Sequence, residues 1–152
     1  MVVFSGDYDK AIAAFIIANG AAAMGDEVTM FFTFWGLDII RKSKKVKTSG
    51  KSFLQSMFGK MMPRGIDKLP LSKMNFCGMG TPMMKMIMKQ QNAMPLDELI
   101  ASAREQGVKL VACTMTMDML GFKKEELLDG VEYMGVAAYL AAADEANVNL
   151  FI

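Results

Sequence analysis

The sequence predicts an α/β fold, a mostly parallel sheet with helices on both faces. Three observations carry this. Short apolar runs alternate with longer helical patterns along the chain. The runs are nearly continuous in apolar residues, as in strands covered on both faces. Gly, Asp or Pro punctuates the boundaries, where turns and helix ends belong.

The elements follow in order. "MVVFS" reads as a buried strand that ends at Gly6-Asp7. Asp7 or Asp9 is placed to cap a helix over roughly 8–24, because a carboxylate accepts from its free N–H groups. Gly25 stops that helix. "EVTMFFTF" is a second strand, rich in β-branched and aromatic residues. "PLDELIASAREQG" starts with Pro95, ends at Gly107, and sets Leu96, Leu99, Ile100 and Ala103 on one helical face. "VKLVAC" is the next strand and "KKEELL" a short helix. "GVEYMG" reads as a strand, "VAAYLAAADEA" as a helix and "VNLFI" as the last strand.

At 152 residues the chain makes one domain, 1–152, long enough to bury a core. It is 53% apolar and 22% charged, the composition of a folded globular protein. A net charge of +1 gives no global field to select nucleic acid. Two cysteines do not make a disulfide framework, which suits a reducing cytoplasm. The longest apolar stretch, "AIAAFIIANGAAAMG", falls short of the about 20 residues a membrane span needs. Asp7 and Asp9 precede it, where a signal peptide would be basic.

There is no histidine. That removes Ser-His-Asp and Cys-His nucleophile pairs. It also removes the commonest transition-metal ligand, and two distant cysteines cannot build a zinc site. The 17 methionines form no clean Met-x-x-Met array away from apolar stripes, so copper(I) is not favoured. No metal or cofactor is expected. Chemistry is left to Cys, carboxylates, Lys, Tyr or the backbone.

About 75 residues separate the second and third strands, where a crossover needs little more than one helix. A Lys/Met-rich helical insertion over about 41–94 is therefore expected. Residues 41–73 hold ten basic residues and one acid, of 17 and 16 in the chain, so the remainder is left at −8. "RKSKKVKTSGKS" reads as a mobile, solvated charge run suited to an anionic partner. "SFLQSMFGKMM" puts Phe53, Leu54, Met57, Phe58, Met61 and Met62 on one stripe, and "PMMKMIMKQ" does so with Met83, Met84, Ile87 and Met88. Met-rich faces suit adaptable contacts, with another subunit or a membrane surface.

In open α/β sheets ligands sit outside the carboxyl ends of the strands. Three loops belong there: Ser5-Gly6-Asp7, Phe34-Trp35-Gly36 and Cys113-Thr114-Met115. Cys113 has two readings. Free cysteines mostly pack as small apolar residues. Against that, this one ends a strand just before "TMTMD", which can begin a helical turn. A free thiol is only about 3% ionised at neutral pH, and a helix N-terminus favours the anion by about 0.3–1 kcal/mol. Such a cysteine is a modest nucleophile, poor for proteolysis and adequate for taking sulfur from an activated donor. Cys77, in "NFCGMGTP", is an incidental loop thiol, or else a resolving partner if the insertion folds over the strand edge. Asp7 is preferred as a helix cap over a substrate-orienting group. Trp35 lines a pocket or caps the core.

"FSGDYDKAIAAFIIANGAAAMGDEVTMFFTFWGLDIIRK", "MFGKMMPRG", "KLPLSKMNFCGMG", "VKLVACTMTMDMLG" and "DGVEYMGVAAYL" together resemble the DsrE/DsrF/DsrH-like family of small sulfur-relay proteins, in a subgroup with a Met-rich insertion sometimes labelled peroxiredoxin-like. The resemblance runs nearly end to end. It implies a single α/β domain with a five-stranded, mainly parallel sheet and homo-oligomers, trimers or larger. It implies a cysteine carrying sulfane sulfur as a persulfide, which by motif is Cys113. Cys77 falls on no family cysteine. Sulfur donor and acceptor proteins or thiols are the implied partners.

The expected function is thus a cytoplasmic sulfur carrier or sulfurtransferase-like protein. Cys113 carries the sulfur, while Ser5, Gly6, Asp7, Trp35, Thr114 and Met115 shape the pocket mouth. The alternative is a non-catalytic oligomeric or membrane-surface module built on the insertion, with an inert Cys113. A small-molecule binder at the sheet edge, for a nucleotide for example, rests on fold alone.

Overall fold

The computed structural model describes residues 1–46, 48 and 50–152. Its centre is an all-parallel sheet of four strands in the order β1 (Val2–Val3), β2 (Thr29–Phe32), β3 (Lys109–Cys113) and β4 (Glu132–Met134). Helix α1 (Tyr8–Ala23) connects β1 to β2. Helices α2 (Phe53–Met61), α3 (Gly80–Gln90) and α4 (Leu96–Glu105) lie between β2 and β3. α5 (Thr114–Leu120) follows β3 directly, and α6 (Val136–Asp144) follows β4. "KKEELL" makes only a 3-10 turn, Lys124–Glu126.

The expected fifth strand does not form. Phe151 makes a single parallel bridge to Val2, with the Val2 N–H donating to Leu150 O at 2.7 Å and the Ile152 N–H donating to Val2 O at 2.9 Å. β1 is two residues long, so the C-terminal segment has little ladder to extend.

Side chains alternate across the pleat, and the two faces differ. Val3, Met30, Phe32, Leu110 and Ala112 point into the main core with α1 and α4. Those helices contribute Ala11, Phe15, Ala18, Leu96, Leu99, Ile100 and Ala103, so α4 uses the face its spacing predicts. Asn19 Nδ2 ties the pair by donating to Leu99 O at 2.9 Å. On the other face Phe31, Val111 and Cys113 meet α6, of which only Tyr139 is buried.

The segment between β2 and β3 docks on the carboxyl edge of the sheet at two places. Gln55 of α2 donates to Asp118 O of α5 at 2.8 Å. Tyr8 at the start of α1 donates its N–H to Pro70 O at 2.8 Å, and Asp9 accepts from the Ser72 N–H at 2.9 Å and its hydroxyl at 2.5 Å. Asp9 is thereby diverted from capping. Asp7 occupies the N-cap position with an extended backbone, yet its carboxylate makes no capping bond and pairs with Lys10 at 3.1 Å. The expected carboxylate cap on α1 is absent.

α2 is capped instead by a reciprocal pair. Gln55 N–H donates to Ser52 Oγ at 3.2 Å, and Ser52 N–H to Gln55 Oε1 at 3.0 Å. Its apolar stripe faces outward, however. Phe53, Leu54, Met57, Phe58 and Met61 are exposed, and only Met62 just beyond the helix turns in. In α3, Met84 and Met88 pack on the core while Met83, Met86 and Ile87 stay exposed.

The charge run departs only in part from its reading as a mobile, solvated segment: Lys44 and Lys45 are exposed, and Lys47 and Ser49 lie outside the described residues. Arg41 is fully buried. Its guanidinium donates to Gly59 O at 3.1 Å, Pro63 O at 3.2 Å and Glu126 Oε1 at 3.3 Å, over the Phe122 ring at 4.6 Å. Lys51 and Arg64 also pair with Glu126. This node staples the segment to the turn before β4. Burial works to raise the Glu126 carboxyl, but the Lys51 hydrogen bond, the Lys123 N–H and Arg41 outweigh it and hold it below the usual range. Burial pushes Asp38 up to about 7 against the pull of Arg41 and Arg64. Arg41 Nη1 lies 3.7 Å from Asp38 Oδ1, beyond hydrogen-bond reach, and among the described residues that oxygen has no donor.

Candidate functional site at the carboxyl edge

β3 is flanked by β2 and β4, so its end lies mid-edge. The register pairs Ala112 with Phe32 and Cys113 with Met134. Cys113 is both the last residue of β3 and the residue from which α5 starts. The first N–H groups of a helix have no acceptor within it. The Cys113 side chain makes no capping bond to them.

The three expected loops do converge here. Gly6 lies against the Trp35 backbone, and a Cβ at Gly6 would sit 2.6 Å from Trp35 O. Gly36 is tighter, since a Cβ there would sit 2.1 Å from Val3 O. The Gly36 N–H donates to Phe4 O at 2.8 Å. Both glycines are needed for the β1 and β2 loops to touch. Phe34, between them in sequence, holds φ 47, a region costly for a side chain with a Cβ. The third loop joins through Thr33 and Thr116, whose hydroxyls lie 2.8 Å apart.

The predicted residues are placed as follows. Ser5 accepts from Lys10 Nζ at 3.0 Å, and Lys10 also pairs with Asp7. Trp35 is 45% exposed and Met115 60% exposed, an apolar rim open to solvent. Thr114 donates to Met134 O at 3.4 Å, tying the start of α5 to the end of β4. Cys113 is the exception to this openness, at 1% exposed. It shares a small cluster with Phe31, Val111 and Tyr139, bordered by Met134. The Tyr139 ring stacks on Phe31 at 4.6 Å, and burial raises its hydroxyl above the ordinary tyrosine range.

Sequence reasoning missed Tyr139, Thr33 and Thr116. Tyr139 left a signal as the lone aromatic in "VAAYLAAAD". The threonine pair left none, because its members are far apart in the chain. Cys77 lies apart from the sheet, exposed in the turn Phe76–Gly78 with φ 54. A cavity of 640 Å³ lies at the opposite, amino edge, between α1 and α6. Among the described residues no helix is long and apolar enough to cross a membrane.

A four-stranded parallel α/β protein with a thiol where its third strand ends defines the class. The chain belongs to the DsrE/DsrF/DrsH-like family, whose pattern matches residues 1–151. It is 63% identical over 152 residues to Uncharacterized protein YrkE of Bacillus subtilis (strain 168), covering all of this chain and 94% of that one. It is 38% identical over 156 residues to Sulfur carrier protein DsrE2 of Allochromatium vinosum, covering all of this chain and 96% of that one. These matches support a role in sulfur relay.

Proposed function

We propose that this protein carries sulfane sulfur as a persulfide on Cys113 and passes it to an acceptor thiol. The observation that carries the reading is the delivery of Cys113 by β3 to the edge where three loops converge. In the loading step the Cys113 thiolate attacks the outer sulfur of a donor persulfide, R–S–SH. The donor S–S bond breaks, R–S⁻ leaves with its electron pair, and Cys113–S–SH forms. In the unloading step an acceptor thiolate attacks that outer sulfur and the Cys113 thiolate leaves. Neither step consumes an oxidant or a reductant.

A thiol 1% exposed must be uncovered to do this. The cover is α6, held on the sheet through Tyr139 and, in part, Ala143. Elements with few buried apolar contacts open at low free-energy cost. Swinging α6 aside uncovers Cys113 and leaves the α1/α4 core in place. Ser5, Gly6, Asp7, Trp35, Thr114 and Met115 then form the mouth that receives the donor. The protein works in the cytoplasm as a homo-oligomer, and residues 41–94 are an insertion in its single domain.

Sulfane sulfur bound per chain, measured after exposure to polysulfide and removal of excess donor, tests the reading. Cys113→Ser should bind none and Cys77→Ser should bind as the parent does. Equal uptake by Cys113→Ser and the parent would overturn it. A second reading, a non-catalytic assembly or membrane-surface module, is favoured by the outward stripe of α2. It predicts that both serine variants behave as the parent in every assembly assay and that the parent itself binds no sulfur.

A further inference from the structure

Two faces of this molecule are built to be covered, and they lie at opposite ends of the sheet. The first is on α2 at the carboxyl edge. Phe53 is 82% exposed and Met61 77% exposed, with Leu54, Met57 and Phe58 beside them. An amphipathic helix ordinarily turns such a stripe inward. Its surroundings are basic, for the 41–73 stretch carries ten basic residues and one acid. Lys44, Lys45, Lys60, Lys68 and Lys73 are exposed and make no ion pair among the described residues.

The second face is the groove at the amino edge, of 640 Å³, between the C-terminal half of α1 and α6. Ile17, Ala21, Ala142 and Val148 give it an apolar lining, and Asp26, Glu27 and Glu145 ring it with negative charge. Among the described residues Lys109 is its only cation besides the N-terminus, and it pairs with Glu27 at 3.6 Å. The walls continue into exposed apolar surface at Ile16 and Leu140. α6 is apolar nearly all round yet buries one side chain, and a helix of that composition belongs in an interior.

We propose that these faces fit each other across copies of the chain, with the α2 stripe of one molecule seated in the α1/α6 groove of the next. Charge complementarity selects this occupant. The stripe is apolar within a basic field, and the groove is apolar within an acidic one. Because they sit at opposite edges, a single chain cannot satisfy both. The contact is therefore heterologous, each molecule offering a stripe at one end and a groove at the other. Such contacts do not stop at two copies; they close into a ring or extend as a filament. The proposal does not depend on sulfur chemistry at Cys113.

Sedimentation and light scattering over a wide concentration range, with charge-swapped variants, test it. Ser56→Glu with Lys60→Glu makes the stripe acidic. Asp26→Lys with Glu145→Lys makes the groove basic. All four positions are exposed, so the variants should keep the circular dichroism and thermal midpoint of the parent. The parent should form species larger than a dimer that dissociate as salt is raised. Each variant alone should be monomeric. An equimolar mixture of the two should reassemble, since every contact between unlike copies is again complementary. Cys113→Ser should assemble as the parent does, which separates this result from the fate of the sulfur reading. A monomeric parent, a parent that stops at a dimer, or variants that assemble unchanged would each overturn the proposal. So would a monomeric parent that floats with anionic vesicles and loses flotation with Met57→Glu, since lipid would then be the occupant.

Discussion

The two cysteines stand in opposite kinds of surroundings. Cys113 ends β3 in a packed cluster of aromatic and aliphatic side chains, 1% exposed. Cys77 is exposed in a turn of the β2–β3 segment, with left-handed backbone at Phe76 and Cys77. Exposure alone would choose Cys77 as the reactive thiol. Position in the fold is what supports the proposal for Cys113, because loops from three strands and the start of α5 converge where β3 ends. Access and placement are thus separable in this fold, and under the proposed function the thiol stays covered until α6 moves. The sheet edge likewise contrasts with a segment held by two hydrogen-bonded contacts, by core side chains such as Met62 and Leu69, and by one buried charge node.

The largest effect should come from that node. Arg41→Ala removes three donor contacts and leaves Glu126 short of a buried partner, and breaking a buried ion pair from one side costs about 3–5 kcal/mol. Urea unfolding should show a loss of that size, with proteolysis of α2 appearing before cleavage in β3. A loss below 1 kcal/mol would mean the segment is held by something else.

Next comes the gap between the thiols. Cys113 should alkylate on the order of a hundredfold more slowly than Cys77 in the native protein, as a local opening of a few kcal/mol requires. Mass spectrometry of the two peptides against time reads this directly, and equal rates would erase the contrast. Tyr139→Ala should then narrow the gap by roughly tenfold, since a stacked aromatic pair contributes about 0.5–1.5 kcal/mol beyond its burial. No change in Cys113 reactivity would remove α6 from the role of lid.

A further contrast is a pH dependence. Burial raises the Asp38 carboxyl from its ordinary value of 3.8 to about 7 in the folded chain. Between those values the folded state holds more protons than the unfolded state, so Asp38 makes stability fall as pH rises through that window and level off above it. Asp38→Asn should flatten this slope and be the more stable protein above pH 7. Thermal midpoints across that range check both, and a parent whose stability rises through the window with the same slope in the variant would contradict the assignment.

Much of the sheet was legible because periodicity and punctuation carry it. β2, β3 and α4 lie where their residues place them, with Leu96, Leu99, Ile100 and Ala103 inward. The order of elements also places the Cys113 loop beside Trp35 and Gly6. Long-range pairings were not legible. Arg41 read as one more solvated base, because its partners Glu126, Gly59 and Pro63 are remote in sequence or are backbone carbonyls. The stripe of α2 was visible, but a helical wheel does not say which side meets the core. Asp9 read as a cap because Ser72, which captures it, arrives from a distant loop. The cluster that Cys113 shares with Phe31, Val111 and Tyr139 forms only once α6 folds back on the sheet.

The proposed function requires that Cys113 be reached by a local movement of α6 and not by unfolding of the chain. The rate of its alkylation against urea concentration, in Cys77→Ser, tests this most directly. A local opening gives a measurable rate with almost no urea dependence below the unfolding transition, because it exposes little surface. A rate that climbs from the lowest urea with the full slope of global unfolding would contradict it, leaving Cys113 a packing residue.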